Sequence, residues 1–320
     1  MILKPFDAND PAHISSAVTI WNAACGADLA ITPRLIDFNL GSTTGAVQAG
    51  RIALHAEQPV GFVLASALPN DPQTSPPEMG WIDALAVMPS ARHQGIGSAL
   101  LSWAEGWLRE QDCRAARLGG SLRPFVAGYP VELANDSFFR QRGYNERMSS
   151  RIVWDVARDL GSYESNRLPR DAEIRPARPG EQDALLRFFR REFPDRWRFE
   201  FEEFLRQKGR LSDYLLLLTH RGIDGFAHLT FEHSLYPMDR FYPHRLPRPW
   251  AQLGPIGVSA DARGKGFGGA LLDAALRHLR DRGVRGCVID WTEFTDFYAK
   301  FGFKPYRQYL VLIKSALRND

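Results

Sequence analysis

An α/β (α+β) chain of two tandem domains, each a mixed, mostly antiparallel sheet flanked by helices, is predicted by three observations. The pattern R-x-x-G-x-G occurs twice, as Arg92-His93-Gln94-Gly95-Ile96-Gly97 and as Arg263-Gly264-Lys265-Gly266-Phe267-Gly268. Subtracting 92 from 263 separates the two arginines by 171 positions, about half of the 320 residues. Each copy follows a short apolar run (82–87; 253–258) and opens an amphipathic stretch, the strand–helix alternation of a layered α/β structure.

The halves repeat one order of elements. A short strand phrase comes first (3–6; 173–176), then a helical stretch (14–24; 181–193) in which Leu185, Phe188, Phe189 and Phe193 keep helical spacing. Hairpins follow: 51–55 and 60–67 around Glu57-Gln58-Pro59, and 215–219 and 225–231 around Gly222-Ile223-Asp224. The loop helices are expected over 98–109 and 270–280, the second with an apolar stripe of Leu271, Leu272, Ala275 and Leu279. A further strand and helix end each half at Phe138-Phe139-Arg140-Gln141-Arg142-Gly143-Tyr144 and Phe297-Tyr298-Ala299-Lys300-Phe301-Gly302-Phe303. The polar stretch 158–171 reads as the connector, so the domains are expected at 1–160 and 170–320.

Composition narrows the function classes. The 40 basic and 37 acidic residues are interleaved, without the clustered stripe of a nucleic-acid surface. Three scattered cysteines with no C-x-x-C suggest a reducing compartment and no disulfide framework. Early acid at Asp7 argues against a signal peptide, and the densest apolar run, 214–218, is far short of the roughly 20 residues of a membrane span. A cytoplasmic monomer or homodimer without nucleic-acid or membrane partners is expected. The eight histidines show no metal-ligand spacing, so no metal site is expected.

Small residues at Gly95, Gly97, Gly266 and Gly268 let backbone N–H groups approach phosphate oxygens, and the following helix aims its positive end at the same charge. Arg92, Arg263 and Lys265 can add charge-assisted bonds. Gly264-Lys265-Gly266-Phe267-Gly268-Gly269 also satisfies G-x-G-x-x-G, with Asp290 downstream. Five residues separate strand from first glycine, however, and the first copy has Leu100 at the third, which argues against a dinucleotide site.

The repeated loop after an apolar strand, its helix, and a terminal Φ-Y-x-x-x-G-F together resemble the Gcn5-related N-acetyltransferases, and the resemblance covers both halves. It implies acetyl-coenzyme A as co-substrate and an amine as acceptor. The cofactor set is then Val87, Arg92, Gln94, Gly95, Gly97 and Ser98 in the first half. In the second it is Ile256, Val258, Arg263, Gly264, Lys265, Gly266, Gly268 and Gly269. Tyr298 is, by the resemblance, the acid that protonates the coenzyme A sulfur. Many members carry Asn seven residues before the closing Tyr; this chain has Trp291.

The first half has Phe139 where the second has Tyr298, and 47 residues from loop Arg to closing aromatic against 35, the excess falling in 119–133. The second half is therefore expected to be catalytic and the first degenerate. A lysine-like amine is neutral in only about one molecule in 10³ at pH 7, so a carboxylate base helps. Asp290 and Glu293 are candidates in the second half, Asp83 in the first. The long, aromatic and cationic segment 232–250 reads as an acceptor wall. A non-catalytic coenzyme A-binding sensor is the alternative.

Overall fold

A computed structural model describes residues 1–146, 152–165, 169 and 171–317. They fall into two compact units, Met1–Trp154 with Arg307–Asp320, and Asp155–Tyr306. The second unit is one stretch of chain, and the first takes residues from both ends of the sequence. Of the expected connector 158–171, residues 158 and 159 end a strand, and 166–168 and 170 lie outside the described residues.

In the first unit the chain runs β1 (Ile2–Pro5), α1 (Pro11–Cys25), α2 (Pro33–Leu40), β2 (Val47–His55), β3 (Gln58–Ala67), β4 (Met79–Val87), α3 (Ile96–Glu110), β5 (Ala115–Leu118), β6 (Tyr129–Pro130), α4 (Ser137–Arg140) and β7 (Asn145–Glu146). The second unit follows with β8 (Val153–Asp159), β9 (Glu173–Pro176), α5 (Gln182–Glu192), α6 (Arg196–Arg206), β10 (Tyr214–Thr219), β11 (Gly222–Phe231), β12 (Trp250–Val258), α7 (Phe267–Asp281), β13 (Gly286–Thr292), α8 (Thr295–Ala299) and β14 (Lys304–Leu310). A last strand, β15 (Leu312–Lys314), belongs to the first unit.

The first sheet has the order β1-β2-β3-β4-β5-β15-β7, antiparallel except for β4–β5. The second runs β9-β10-β11-β12-β13-β8-β14, with β12–β13 its parallel match. Strand β14 leaves the second unit at Tyr306, and its far end, Tyr309–Leu310, pairs with β6 inside the first.

Local chemistry explains the main elements. Asp10 caps α1 by accepting from the Ala12 amide at 2.9 Å, with Pro11 at the first helical position. The stripe of α7, extended by Leu276, is wholly buried. In the second unit Phe188, Phe189, Phe201, Phe204, Tyr214 and Phe226 pack into one aromatic core, with ring centroids 4.5–6.4 Å apart. Helices α2 and α6 were not expected. α6 is held on its polar face by Arg196–Glu200 and Arg198–Glu202 pairs at i,i+4.

The second hairpin turns at His220-Arg221, not at 222–224, because Gly222 already pairs with Thr219 and Asp224 sits in a bulge between Gly225 and Ile223. That bulge points the Asp224 carboxylate at three donors: Arg221 Nη2 at 2.7 Å, Ser259 Oγ at 2.9 Å and Thr219 Oγ1. Burial pushes this carboxyl up, but the three hydrogen bonds outweigh it and leave it below its ordinary value. Because Ser259 closes β12, the bulge braces the start of the second glycine loop. Asp224→Ala should cost about 1–3 kcal/mol by leaving those donors unpaired. Thermal unfolding at pH 7 reads this loss. The difference from wild type should shrink as pH falls through the depressed carboxylate range, where the wild-type group protonates.

Candidate active site

Both glycine loops are built alike. Arg92 and Arg263 are extended, with φ of −68° and −67°. The next residue is left-handed (His93 φ 62°, Gly264 φ 76°), and Gly95 (φ 80°) and Gly266 (φ 81°) turn left again to start α3 and α7. The turn aims the unpaired first amides of a 15-residue helix across each loop.

What lies over the two loops differs. A Cβ added at Gly264, Gly266 or Gly268 would meet nothing within 4 Å. One added at Gly97 would stand 3.3 Å from the Phe138 ring. Arg142 lies 4.0 Å over that ring and donates to Ser98 Oγ at 2.6 Å and to the Phe138 carbonyl at 2.7 Å. Arg92 donates to the Ala24 carbonyl at 3.0 Å. Gly95, like its counterpart Gly266, has open space at its Cβ position, so the two loops differ further along, where Phe138 lies against Gly97 and nothing lies within 4 Å of Gly268.

Beside each loop the parallel strands part. β4 keeps β5 only as far as Ile82↔Leu118, and β12 keeps β13 only as far as Gln252↔Val288. Each parting coincides with a bulge, at Asp83 in β4 and at Gly254-Pro255 in β12. Past it, the open strand edge, Ile256 and Val258 included, offers backbone groups to a ligand.

One carboxylate stands beside each parting, supplied by different strands: Asp83 is buried and Asp290 half-buried. Counted from the matching pairs Met79↔Ala115 and Trp250↔Gly286, Gly254 is the counterpart of Asp83 and Gly119 that of Asp290. A Cβ on Gly254 would lie 3.5 Å from Asp290 Oδ1, so the two side chains reach the same place. Asp83 is 1% exposed and pushed up to about 7 by burial, against hydrogen bonds from Ser121, Ser66 and Gln48. Ser121 comes from the long insert of the first half. That insert is internal: Phe125 is fully buried, and the Arg123 carbonyl accepts from Asn39 at 2.6 Å. It closes over Asp83.

Asp290 keeps partial solvent access. Burial pushes its carboxyl up, while the Arg240 charge and a hydrogen bond from Gln252 pull it down. Gln252 Nε2 donates to Asp290 Oδ1 at 2.6 Å and to the Gly254 carbonyl at 3.1 Å. Two acceptors fix the amide's orientation and leave Oε1 buried with no partner among the described residues, an arrangement that costs about 1–3 kcal/mol. Tyr298, on α8, is buried and pushed up to about 12, first by burial and then by the Asp290 charge. Its hydroxyl therefore stays protonated at neutral pH. Glu293 is exposed beyond the end of β13.

The remaining wall comes from helix and loop. The Phe193 and Trp197 rings would meet a Cβ on Gly257 at 2.7 and 3.0 Å, which seats the α5–α6 corner on β12. Arg196 pairs with Glu200 at 2.7 Å and lies 4.6 Å over the Trp291 ring. Arg240, from the segment 232–249, lies within the electrostatic reach of both Asp290 and Glu200. Trp291 itself takes a left-handed φ of 52°, its amide donating to Asp155 at 3.0 Å. Sequence reasoning missed Gln252, Glu200 and Phe138: a lone amide in an apolar strand has no spacing signature. Among the described residues no group of three or more His, Cys, Asp or Glu could hold a metal, and no helix is long and apolar enough to cross a membrane.

A strand that parts from its parallel neighbour beside a glycine-turned helix start, present twice, defines an acetyltransferase-type fold. The family model of the acetyltransferase (GNAT) family matches residues 29–122 and 182–303, and the chain belongs to that family. It is similar to the mycothiol acetyltransferase of Geodermatophilus obscurus, 26% identical over 317 residues and 94% of each chain. It is also similar to that of Saccharomonospora viridis, 30% identical over 234 residues, 69% of this chain and 70% of the other. Among solved structures, the tandem GNAT protein from the clavulanic acid biosynthesis pathway matches all of this chain and 99% of its own, with TM-score 0.74 at 16% identity. The GCN5-related glucosamine N-acetyltransferase region of a fungal multi-domain GH3 β-N-acetylglucosaminidase reaches 0.84 at 23%, over 98% of this chain and 38% of that one. These likenesses concern the fold.

One difference between the loops is testable without a ligand. His93 holds a left-handed conformation that costs a side-chain-bearing residue about 1–2 kcal/mol. His93→Gly should raise stability by up to about 1 kcal/mol once the entropy of a freer unfolded chain is subtracted. The midpoint of urea unfolding measures it.

Proposed function

We propose that this protein is an acetyl-coenzyme A-dependent N-acetyltransferase acting on a primary amine of a small molecule or peptide, with its chemistry in the second unit. The observation that carries the reading is the early parting of β12 and β13 next to a glycine loop with open space at Gly266 and Gly268, with the Asp290 charge acting on the buried Tyr298 hydroxyl. The open cradle, the amides opening α7 and the cations Arg263 and Lys265 suit the pyrophosphate of coenzyme A; the unpaired edge of β12 suits its amide-bearing arm.

Acetyl-coenzyme A supplies an acetyl thioester. Asp290 takes a proton from the acceptor's ammonium group and passes it to solvent. The freed nitrogen attacks the carbonyl, a C–N bond forms and the C–S bond breaks. Tyr298 gives its proton to the departing sulfur and recovers the one that the nitrogen sheds. The relatives' name makes mycothiol lacking its acetyl group the first acceptor to try, with glucosamine and cysteine amide beside it.

Gly268 has room for a side chain and a helical backbone, so Gly268→Val should leave the unfolding temperature within a degree or two while weakening acetyl-coenzyme A binding at least tenfold in calorimetric titration. The Phe138 ring against Gly97 predicts one site per chain. Transfer to the amine panel tests the reading itself. Tyr298→Phe should lower kcat by about 10²–10³ with acetyl-coenzyme A affinity retained, and Asp290→Asn should abolish the acid limb of the kcat/KM profile. Binding without transfer to any amine would assign the chain to the sensor alternative.

A further inference from the structure

Gln252 belongs to none of the residues that the glycine loop or the closing helix supplies, yet it is the side chain that touches the candidate base. Its two N–H groups are both spent inside the second unit, one on Asp290 Oδ1 at 2.6 Å and one on the Gly254 carbonyl at 3.1 Å. The residue is 2% exposed, and its side-chain carbonyl oxygen is buried with no partner among the described residues. An amide that leaves its own acceptor unsatisfied while both donors converge on one strand parting is an arrangement a folding argument alone does not favour.

The first unit lacks it. Trp81 stands where the second has Gln252, and the carboxylate there, Asp83, is held by hydroxyls and closed over by the insert. The access and the amide are thus both confined to the second cleft.

We infer that Gln252 is a positioning residue: it grips Oδ1 of Asp290, fixes the carboxylate at the parting of β12 and β13, and leaves Oδ2 for the acceptor amine. The inference rests on the reading in which Asp290 is the base. Four elements face that carboxylate. Gln252 comes from β12, Arg240 from the segment before β12, Glu200 from α6 and Tyr298 from α8, with Arg196 and Tyr236 beyond them facing Arg240. Gln252 and Arg240 favour the ionised form; Glu200 opposes it. Removing the amide therefore raises the pH at which Asp290 loses its proton, and a base that must be ionised then works only at higher pH.

The test is the kcat/KM profile of full-length Gln252→Met from pH 5 to 9, with the best amine of the panel as acceptor. Methionine keeps the volume and removes both the hydrogen bond and the orphaned oxygen. The acid limb should move up by about one pH unit. Activity should fall about tenfold at the acid end and recover to within about twofold at pH 9, with acetyl-coenzyme A affinity unchanged. Gln252→Glu, which sets a second carboxyl against the first, should move the limb up further. In an Asp290→Asn background, Gln252→Met should add no shift. Activity lowered equally at every pH, or a limb left in place in both variants, overturns the inference while the transferase reading stands. If the unaltered protein acetylates no amine, that reading fails first and the inference falls with it.

Discussion

The early end of the parallel pairing between β12 and β13 is the constraint on which the second unit's site depends. Three residue pairs hold the strands together, and then the Gly254-Pro255 bulge turns β12 away. An unbroken ladder would bury both strand edges and leave nothing for a ligand to reach. Because it stops, β12 exposes backbone, β13 presents Asp290, and α8 can bring Tyr298 to the same point. The glycine loop finishes β12 rather than beginning something new, and the Asp224 bulge in β11 holds its first residue.

The two units show how one framework can keep its form while its chemistry moves. Loop dihedrals agree to within a few degrees apart from the wider scatter at His93 and Gly264, so the backbone device is intact in both. What differs is small: Phe138 and Arg142 over one cradle and open space over the other, and a carboxylate transferred from a bulge on one strand to the end of its neighbour. A side chain at Gly254 would start 3.5 Å from Asp290 Oδ1, so an acid there would set like charge against like.

Much of this was legible in the chain. The doubled loop, the strand before it and the helix after it follow from spacing, because glycine and apolar periodicity act locally. Other features depend on what the chain meets far away. Helix α6 has no side-chain capping bond and carries charge at every turn, so its apolar face, Phe201 and Phe204, becomes evident only against Tyr214. Gly222 reads as a turn residue, yet with φ 101° it opens a strand. The closing aromatic noted in sequence was Phe139, while the ring that covers the loop is its neighbour Phe138. Gln252 had no signature at all, since its meaning comes from Asp290 on an adjacent strand 38 residues on.

The exchange of strands at the chain's end bears on the order of events during synthesis. Strand β15 lies between β5 and β7, so the first unit cannot complete its sheet until residues 312–314 exist. The second sheet is also completed late, because its strand β14 runs on to Leu310. During synthesis the earlier half therefore waits with an open gap between β5 and β7 until the last strands are made. A gene cut at the midpoint would take β15 from one sheet and β8 from the other, so the duplication visible in the sequence is no longer divisible into equals.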